Sequence, residues 1–187
     1  MAVEVMDAIK ERRSIRQYLS DPVTDQELRA VLEAARWAPS WANTQAWEFV
    51  VVKDAPVKQA LSQTLTPNNP STDAVRTAPV VIAAVGRRDL SGFKKDGPLT
   101  KAGDWYMFDL GLAIQNLTLA AFSLGLGTVH VGAMDLGAAE KILEIPEGYS
   151  LVELIPLGRP ASDSKAPPRK ELSEFLHKDK FGSPWEG

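Results

Sequence analysis

Arg12-Arg13-Ser14-Ile15-Arg16 gathers three guanidinium groups and a hydroxyl into one short stretch of chain. Arginine presents a planar fork of donors that matches phosphate oxygens, and a serine hydroxyl adds a short bond, so this run suits a dianion. A solvated basic patch with surface ion pairs is the competing reading of the same spacing. Arg169-Lys170 is a second basic pair, able to close on the same anion if the fold brings the chain ends together. A different chemistry is suggested by Pro39-Ser40-Trp41-Ala42-Asn43-Thr44-Gln45-Ala46-Trp47, where polar residues lie between two indoles. The amides of Asn43 and Gln45 carry both donors and acceptors, which fits the edge of a heterocycle with alternating N–H and C=O groups. An ordinary turn pinned to the core by its tryptophans accounts for the same residues.

Other chemistries fall away. Gly125-Leu126-Gly127-Thr128-Val129-His130 begins like a dinucleotide fingerprint, but His130 stands where the third glycine belongs, and a helix precedes the glycines instead of following them. No P-loop, H-E-x-x-H or G-x-S-x-G occurs. Ser162-Asp163-Ser164-Lys165 and Ser91-Gly92-Phe93-Lys94 match S-x-x-K only formally. The chain has no cysteine, which excludes disulfides, thiolate nucleophiles and iron–sulfur clusters, and its two histidines, His130 and His177, argue against a metal site. His130 reads as a strand residue with a satisfied ring and His177 as a surface residue.

These clusters need elements to place them. Val5, Met6, Ala8 and Ile9 form a helical stripe over 4–11. Thr24 and Glu27 fit a capping box, followed by Leu28, Val31, Leu32 and Ala35 on one buried face, with Pro39 ending that helix. Residues 48–53 and 78–85 read as buried strands, with a short helix from near Pro56 between them. The stretch from Gly86 to Gly103 reads as an exposed loop or lid. A long helix capped at Asp104 follows, with Leu110, Ala113, Ile114, Leu117, Ala120, Ala121 and Leu124 as its apolar face and Gly125 as its C-terminal cap. Trp105 and Tyr106, where it opens, suit a pocket wall or the core. A strand near 128–131, a helix near 136–143, a turn at 146–149 and a strand at 151–157 complete the body. The tail from Arg159 is proline-rich, with one amphipathic stretch carrying Leu172, Phe175 and Leu176.

Helices and strands mix without strict alternation, so the fold class expected is α+β, with helices around one sheet. At 187 residues, one domain spanning 1–187 would bury about 70% of its extended surface. Residues 159–187 form a tail that either embraces a partner subunit or hangs loosely. Twenty-four acidic against 21 basic residues give a net charge of −3, which does not invite nucleic acid. The charged opening MAVEVMDAIKERRS and the lack of a membrane-length apolar run point to a soluble, cytoplasmic protein.

Taken in order, the pieces resemble the FMN-dependent nitroreductase family. They are Arg12-Arg13-Ser14-Ile15-Arg16-Gln17-Tyr18, Ala38-Pro39-Ser40 with Asn43 through Phe49, and Ala78 through Ile82. Asp104-Trp105 with Asp109, Gln115-Asn116-Leu117, Gly125-Leu126-Gly127, Ile145 through Tyr149, Leu157 through Pro160 and Arg169-Lys170 follow. The resemblance implies a central, mostly antiparallel sheet surrounded by helices, and a homodimer holding two FMN molecules at its interface, with the tail wrapping the partner. By the same resemblance Arg12, Ser14 and Arg169, with Arg13 beside them, hold the FMN phosphate. Arg16 stands near the flavin N1/O2 edge, where a fixed cation stabilises the negative charge of reduced flavin. Pro39, Ser40 and Asn43 contact the isoalloxazine from the partner subunit, Asn68 or Asn69 reaches its polar edge, and Gly127 and Thr128 offer contacts along the opposite edge. Two positions depart from the family pattern. Ala46 replaces a common proline, and Pro167 stands where a second tail cation is expected, leaving Lys165 or Lys170 to substitute.

The activity implied is ping-pong hydride transfer from NAD(P)H through FMN to a small electron-poor acceptor, a nitroaromatic or a quinone. Arg16 is then an electrostatic stabiliser, and no side chain is an obligatory acid or base. A dehalogenating relative would need a glutamate in its lid, and none occurs between Glu48 and Glu140. A flavin-cleaving enzyme is a further reading within the same fold. A non-catalytic flavin-binding or interaction module is the rival of a different class.

Overall fold

The computed structural model describes residues 3–185. Its centre is a four-stranded sheet in the order β1-β2-β6-β5, formed by β1 (Trp47–Val52), β2 (Val80–Arg87), β5 (Gly127–Thr128) and β6 (Tyr149–Gly158), with every pairing antiparallel. β2 is almost wholly buried, so its continuous apolar run serves both faces. Val80, Ile82 and Ala84 feed one core, beneath α2 (Asp25–Arg36) and α5 (Tyr106–Ser123). Val81, Ala83 and Val85 feed the other, beneath α3 (Ala55–Ser62), α4 (Thr72–Thr77) and α6 (Leu136–Ile142). The fold is α+β, with helices on both faces of one sheet, as expected.

Local signals explain most boundaries. Thr24 and Glu27 form the anticipated capping box: the Thr24 hydroxyl accepts from the Glu27 amide, and the Glu27 carboxylate accepts from the Thr24 amide. Leu28, Val31 and Ala35 are buried beneath it. Asp54 caps α3 with Pro56 in its first turn, and Asp135 caps α6. α5 ends as read: Gly125 takes φ +73°, and the Leu126 amide reaches back to the Ala121 carbonyl at 2.9 Å. Leu110 and Leu117 of α5 are fully buried, each stabilising the fold by roughly 1.5–3 kcal/mol.

Several expectations need correction. Trp105 rather than Asp104 takes the cap position of α5, which begins at Tyr106, although the Asp104 carboxylate still accepts from the Tyr106 amide as well as from that of Asp89. The 86–103 stretch is not simply an exposed lid. β2 runs into it, Ser91 is fully buried, and a small hairpin of β3 (Phe93–Lys94) and β4 (Gly97–Pro98) forms its tip. The strand near 128–131 is limited to β5 plus one bridge, Val131 to Leu154. α4 had no sequence signal, being a six-residue helix with no room for a periodic stripe. His130 lies beyond β5 with its Nδ1 on Glu153 Oε1 at 2.9 Å, a satisfied ring as read. The stripe of α1 (Val5–Glu11) turns outward: Val5, Met6 and Ile9 are 68%, 58% and 50% exposed, and only Ala8 is buried.

Candidate functional site

The segment after α1 is held in extended form against β5. The Ile15 amide donates to the Thr128 carbonyl at 2.9 Å, and Ser14 bridges Thr128 in parallel. Tyr18 anchors the other end. Its hydroxyl lies 2.6 Å from the Ile15 carbonyl and 3.1 Å from that of Pro156, and burial holds the phenol well above its ordinary pKa. The tail returns alongside, with the Leu19 amide on Arg159 and the Ala161 amide on Gln17, both at 2.9 Å. The two ends of the chain thus form the walls of one cleft.

Within that cleft Arg12, Arg13, Ser14, Arg16, Lys165 and Arg169 line a cavity of about 310 Å³. Pro167 is also in its wall, and of Lys165 and Lys170 it is Lys165 that lines the cavity. Two neighbouring cavities share these walls. One, of about 270 Å³, reaches Phe122, Gly127 and Thr128; the other, of about 410 Å³, reaches Gln17, Pro70 and Asp73. None of the five cations forms an ion pair among the described residues. Burial lowers the pKa of Arg12, and the charges of Arg13 and Arg169 push it the same way. Arg12 Nη1 and Thr128 Oγ1 are buried with no hydrogen-bond partner. Arginine stays protonated despite such pressure, so the site holds repelling charge and unsatisfied donors that an anion would relieve.

The remaining arginines are braced. Arg13 Nη1 donates to the carbonyls of Lys10 and Arg12 at 2.6 and 2.8 Å, and Arg169 Nη1 to that of Pro167 at 3.1 Å. Arg16 Nε donates to the Ser71 hydroxyl at 3.2 Å, which fixes the plane of its guanidinium. Ser71 is buried just ahead of α4, and sequence reading passed over it. Asn69 spends its amide inside the protein: Nδ2 donates to the Ala133 carbonyl at 3.1 Å, and Oδ1 accepts from the Ser71 amide at 2.9 Å. Its neighbour Asn68 is exposed with φ +61°.

Pro39, Ser40 and Asn43 lie elsewhere. They belong to a loop with a 3-10 turn at Trp41–Asn43, in which Ala42, Asn43 and Gln45 take φ of +46°, +57° and +50°. Such backbone costs of order 1–3 kcal/mol per residue and persists only where its surroundings over-determine it. Ser40 Oγ accepts from the Gln45 amide at 2.9 Å, and Asp109, in the first turn of α5, accepts from the Trp41 amide at 3.0 Å. Asp109 is the lone charged residue between Trp105 and Val129, a signal that the sequence offers and that entered above only among the pieces of the family resemblance. Phe122, in the wall of the cationic cleft, is near the far end of α5. At 1.5 Å per residue the loop and the cleft are separated by about 20 Å along the helix. One protomer therefore does not bring the two groups of predicted residues together.

Residues 9–159 match the model of the nitroreductase family. The chain is 31% identical over 191 residues to an FMN reductase [NAD(P)H] of Bacillus subtilis, covering 95% of this chain and 74% of that one. It is 27% identical over 202 residues to an iodotyrosine deiodinase of Nematostella vectensis, covering 94% and 75%. The solved structure of an FMN-dependent nitroreductase from Clostridium difficile superposes with a TM-score of 0.77 at 25% identity, over 94% and 99% of the two chains. With the cationic cleft, the strained loop and the antiparallel sheet in place, the chain belongs to the nitroreductase family.

Proposed function

We propose that the protein is a homodimeric FMN-dependent oxidoreductase that takes hydride from NADH or NADPH and reduces small electron-poor acceptors, nitroaromatics or quinones. The observation that carries this reading is the cluster of unpaired cations around buried Arg12 Nη1, with Thr128 Oγ1 also unsatisfied. Those donors suit a phosphate monoester. Arg12, Ser14 and Arg169 would hold the FMN phosphate, with Arg13 and Lys165 beside them. When bound, FMN supplies the hydride chemistry. The chain's residues bind it, orient it and set its charge environment. Arg16, its plane fixed by Ser71, presents a permanent cation that favours negative charge on the flavin's N1/O2 edge. No acid or base is assigned to the chain, and the open cleft leaves room for the donor and the acceptor to take turns.

The separation of loop and cleft supports the dimer. α5 exposes Met107, Phe108, Gly111 and Gln115 along one side, a stripe that begins apolar and includes a small residue that permits close approach. Two such helices packed antiparallel set the Pro39, Ser40 and Asn43 loop of one chain over the Arg12 cleft of the other. The outward stripe of α1 and the exposed Leu172, Phe175 and Phe181 of the tail supply further surface for that partner, with 159–187 embracing it. Among the described residues no helix is long and apolar enough to cross a membrane, and no cluster of potential metal ligands occurs.

The visible spectrum of the purified protein is the test. Flavin absorption that bleaches on anaerobic addition of NADH or NADPH, and returns with menadione or a nitrofuran, is the expected result. A colourless protein that takes up no added FMN overturns the reading, and a yellow protein inert to both reductants reduces it to a binding module.

A further inference from the structure

Asp109 is only 1% exposed and has no cation against it among the described residues. Three donors satisfy it: the Trp41 amide on Oδ1 at 3.0 Å, and the hydroxyls of Thr44 at 3.4 Å and Ser91 at 2.5 Å on Oδ2. Trp41 and Thr44 bracket the left-handed residues Ala42 and Asn43, so the carboxylate grips the strained turn on both sides. Ser91 belongs to the connection between β2 and α5 and is itself fully buried. The same neighbourhood sets Trp41 against Trp105, their ring centroids 5.0 Å apart and their planes tilted by 43°.

We propose that Asp109 is a positioning residue for the Ser40–Gln45 loop, holding Ser40 and Asn43 in the form that meets the cofactor. What the loop faces rests on the FMN reading; that Asp109 sets its shape does not. The Trp41–Trp105 pair provides a cofactor-free reporter, because two indoles this close give an exciton couplet in circular dichroism, assignable with Trp41→Phe. Asp109→Ala is expected to abolish the couplet and to raise the Kd for FMN about tenfold or more. Ser91→Ala removes a bond to the same carboxylate from the other side, and is expected to lower the melting temperature while leaving the couplet in place. If Asp109→Ala does not fold, Asp109→Asn decides: it keeps one acceptor, and its couplet is expected to weaken. A full couplet in the folded Asp109→Ala protein, or in Asp109→Asn where the alanine form fails, overturns the proposal. So does a Ser91→Ala protein that loses its couplet as completely as Asp109→Ala. Wild-type protein that binds no FMN removes the cofactor reading and leaves the couplet to decide on Asp109.

Discussion

Ile15 packs directly on the face of Gly127, so that a Cβ at Gly127 would lie 2.6 Å from Ile15 Cγ1 and 2.8 Å from its Cβ. That contact sets the spacing between the N-terminal segment and β5, because the Ile15 amide is bonded to the neighbouring Thr128 carbonyl. Gly127→Ala forces Ile15 aside and with it Arg12, Arg13 and Ser14. Overpacking of this kind costs about 1–3 kcal/mol. Denaturant unfolding should show that loss, and FMN titration a weaker affinity. Adding Ile15→Gly, which also removes the Cβ that alanine would leave 2.8 Å away, should give a double variant more stable than the sum of the single effects. Strict additivity would show that the glycine is not needed for this approach.

Arg12 and Arg16 are distinguished by their surroundings. Arg12 has a buried nitrogen without a partner and two like charges nearby, so an anion should stabilise the cofactor-free protein. Inorganic phosphate is expected to raise its melting temperature more than chloride at equal ionic strength, and Arg12→Ala to abolish the difference and weaken FMN binding. Arg16 is held by Ser71, and Arg16→Ala is expected to lower the midpoint potential of bound flavin by about 30 mV, or ~1.4 kcal/mol for two electrons, with a smaller change in affinity. Equal losses of affinity and potential in both variants would contradict the division.

What the sequence conveyed was mostly local. The Thr24–Glu27 box, the Gly125 cap and the inward positions of α5 depend on residues within a few places of each other, and each is found. The cationic cluster was legible as composition, and its closure by Arg169 as a conditional expectation. Gly127 entered as a ligand contact, and its cavity-lining place is joined by a demand that the sequence did not convey, the close approach of Ile15. The partners of Asp109 were unreadable because Trp41, Thr44 and Ser91 reach it from distant parts of the chain. Asp104 followed the cap rule, but its carboxylate serves Asp89 as well, and the helix starts beyond it. Nor does periodicity say whether a stripe meets its own body or a second one. α1 has the pattern of a core helix and turns it outward.

Glu27 links the start of α2 to the end of β6 and carries a pH dependence. Its carboxylate accepts from the Thr24 amide at 2.9 Å, the Thr24 hydroxyl at 2.8 Å and Arg159 Nη2 at 2.7 Å, and these bonds hold its pKa below the ordinary value. A depressed carboxyl stabilises the fold above its unfolded-state pKa, and that contribution is lost as pH falls through the folded-state value. Glu27→Gln should therefore cost about 1 kcal/mol at neutral pH, the gap to wild type closing in acid. A gap independent of pH between neutrality and the acid transition would place the effect in shape rather than charge.

If each site is assembled from the cleft of one chain and the loop of the other, two different defects can cancel in a mixed dimer. Arg12→Ala damages the cleft, and Asn43→Gly removes the loop amide while tolerating the φ of +57° found there. Each homodimer then carries the same defect in both sites. In a mixed dimer, one site combines both damaged halves and the other combines both intact ones. Random co-refolding of equal amounts makes about half the dimers mixed, so about one quarter of all sites should bind FMN with wild-type affinity. FMN fluorescence titration of the mixture against the separate variants counts those sites directly. Were the loop and cleft of a single chain to serve the same site, every site would retain one defect, and mixing would recover none.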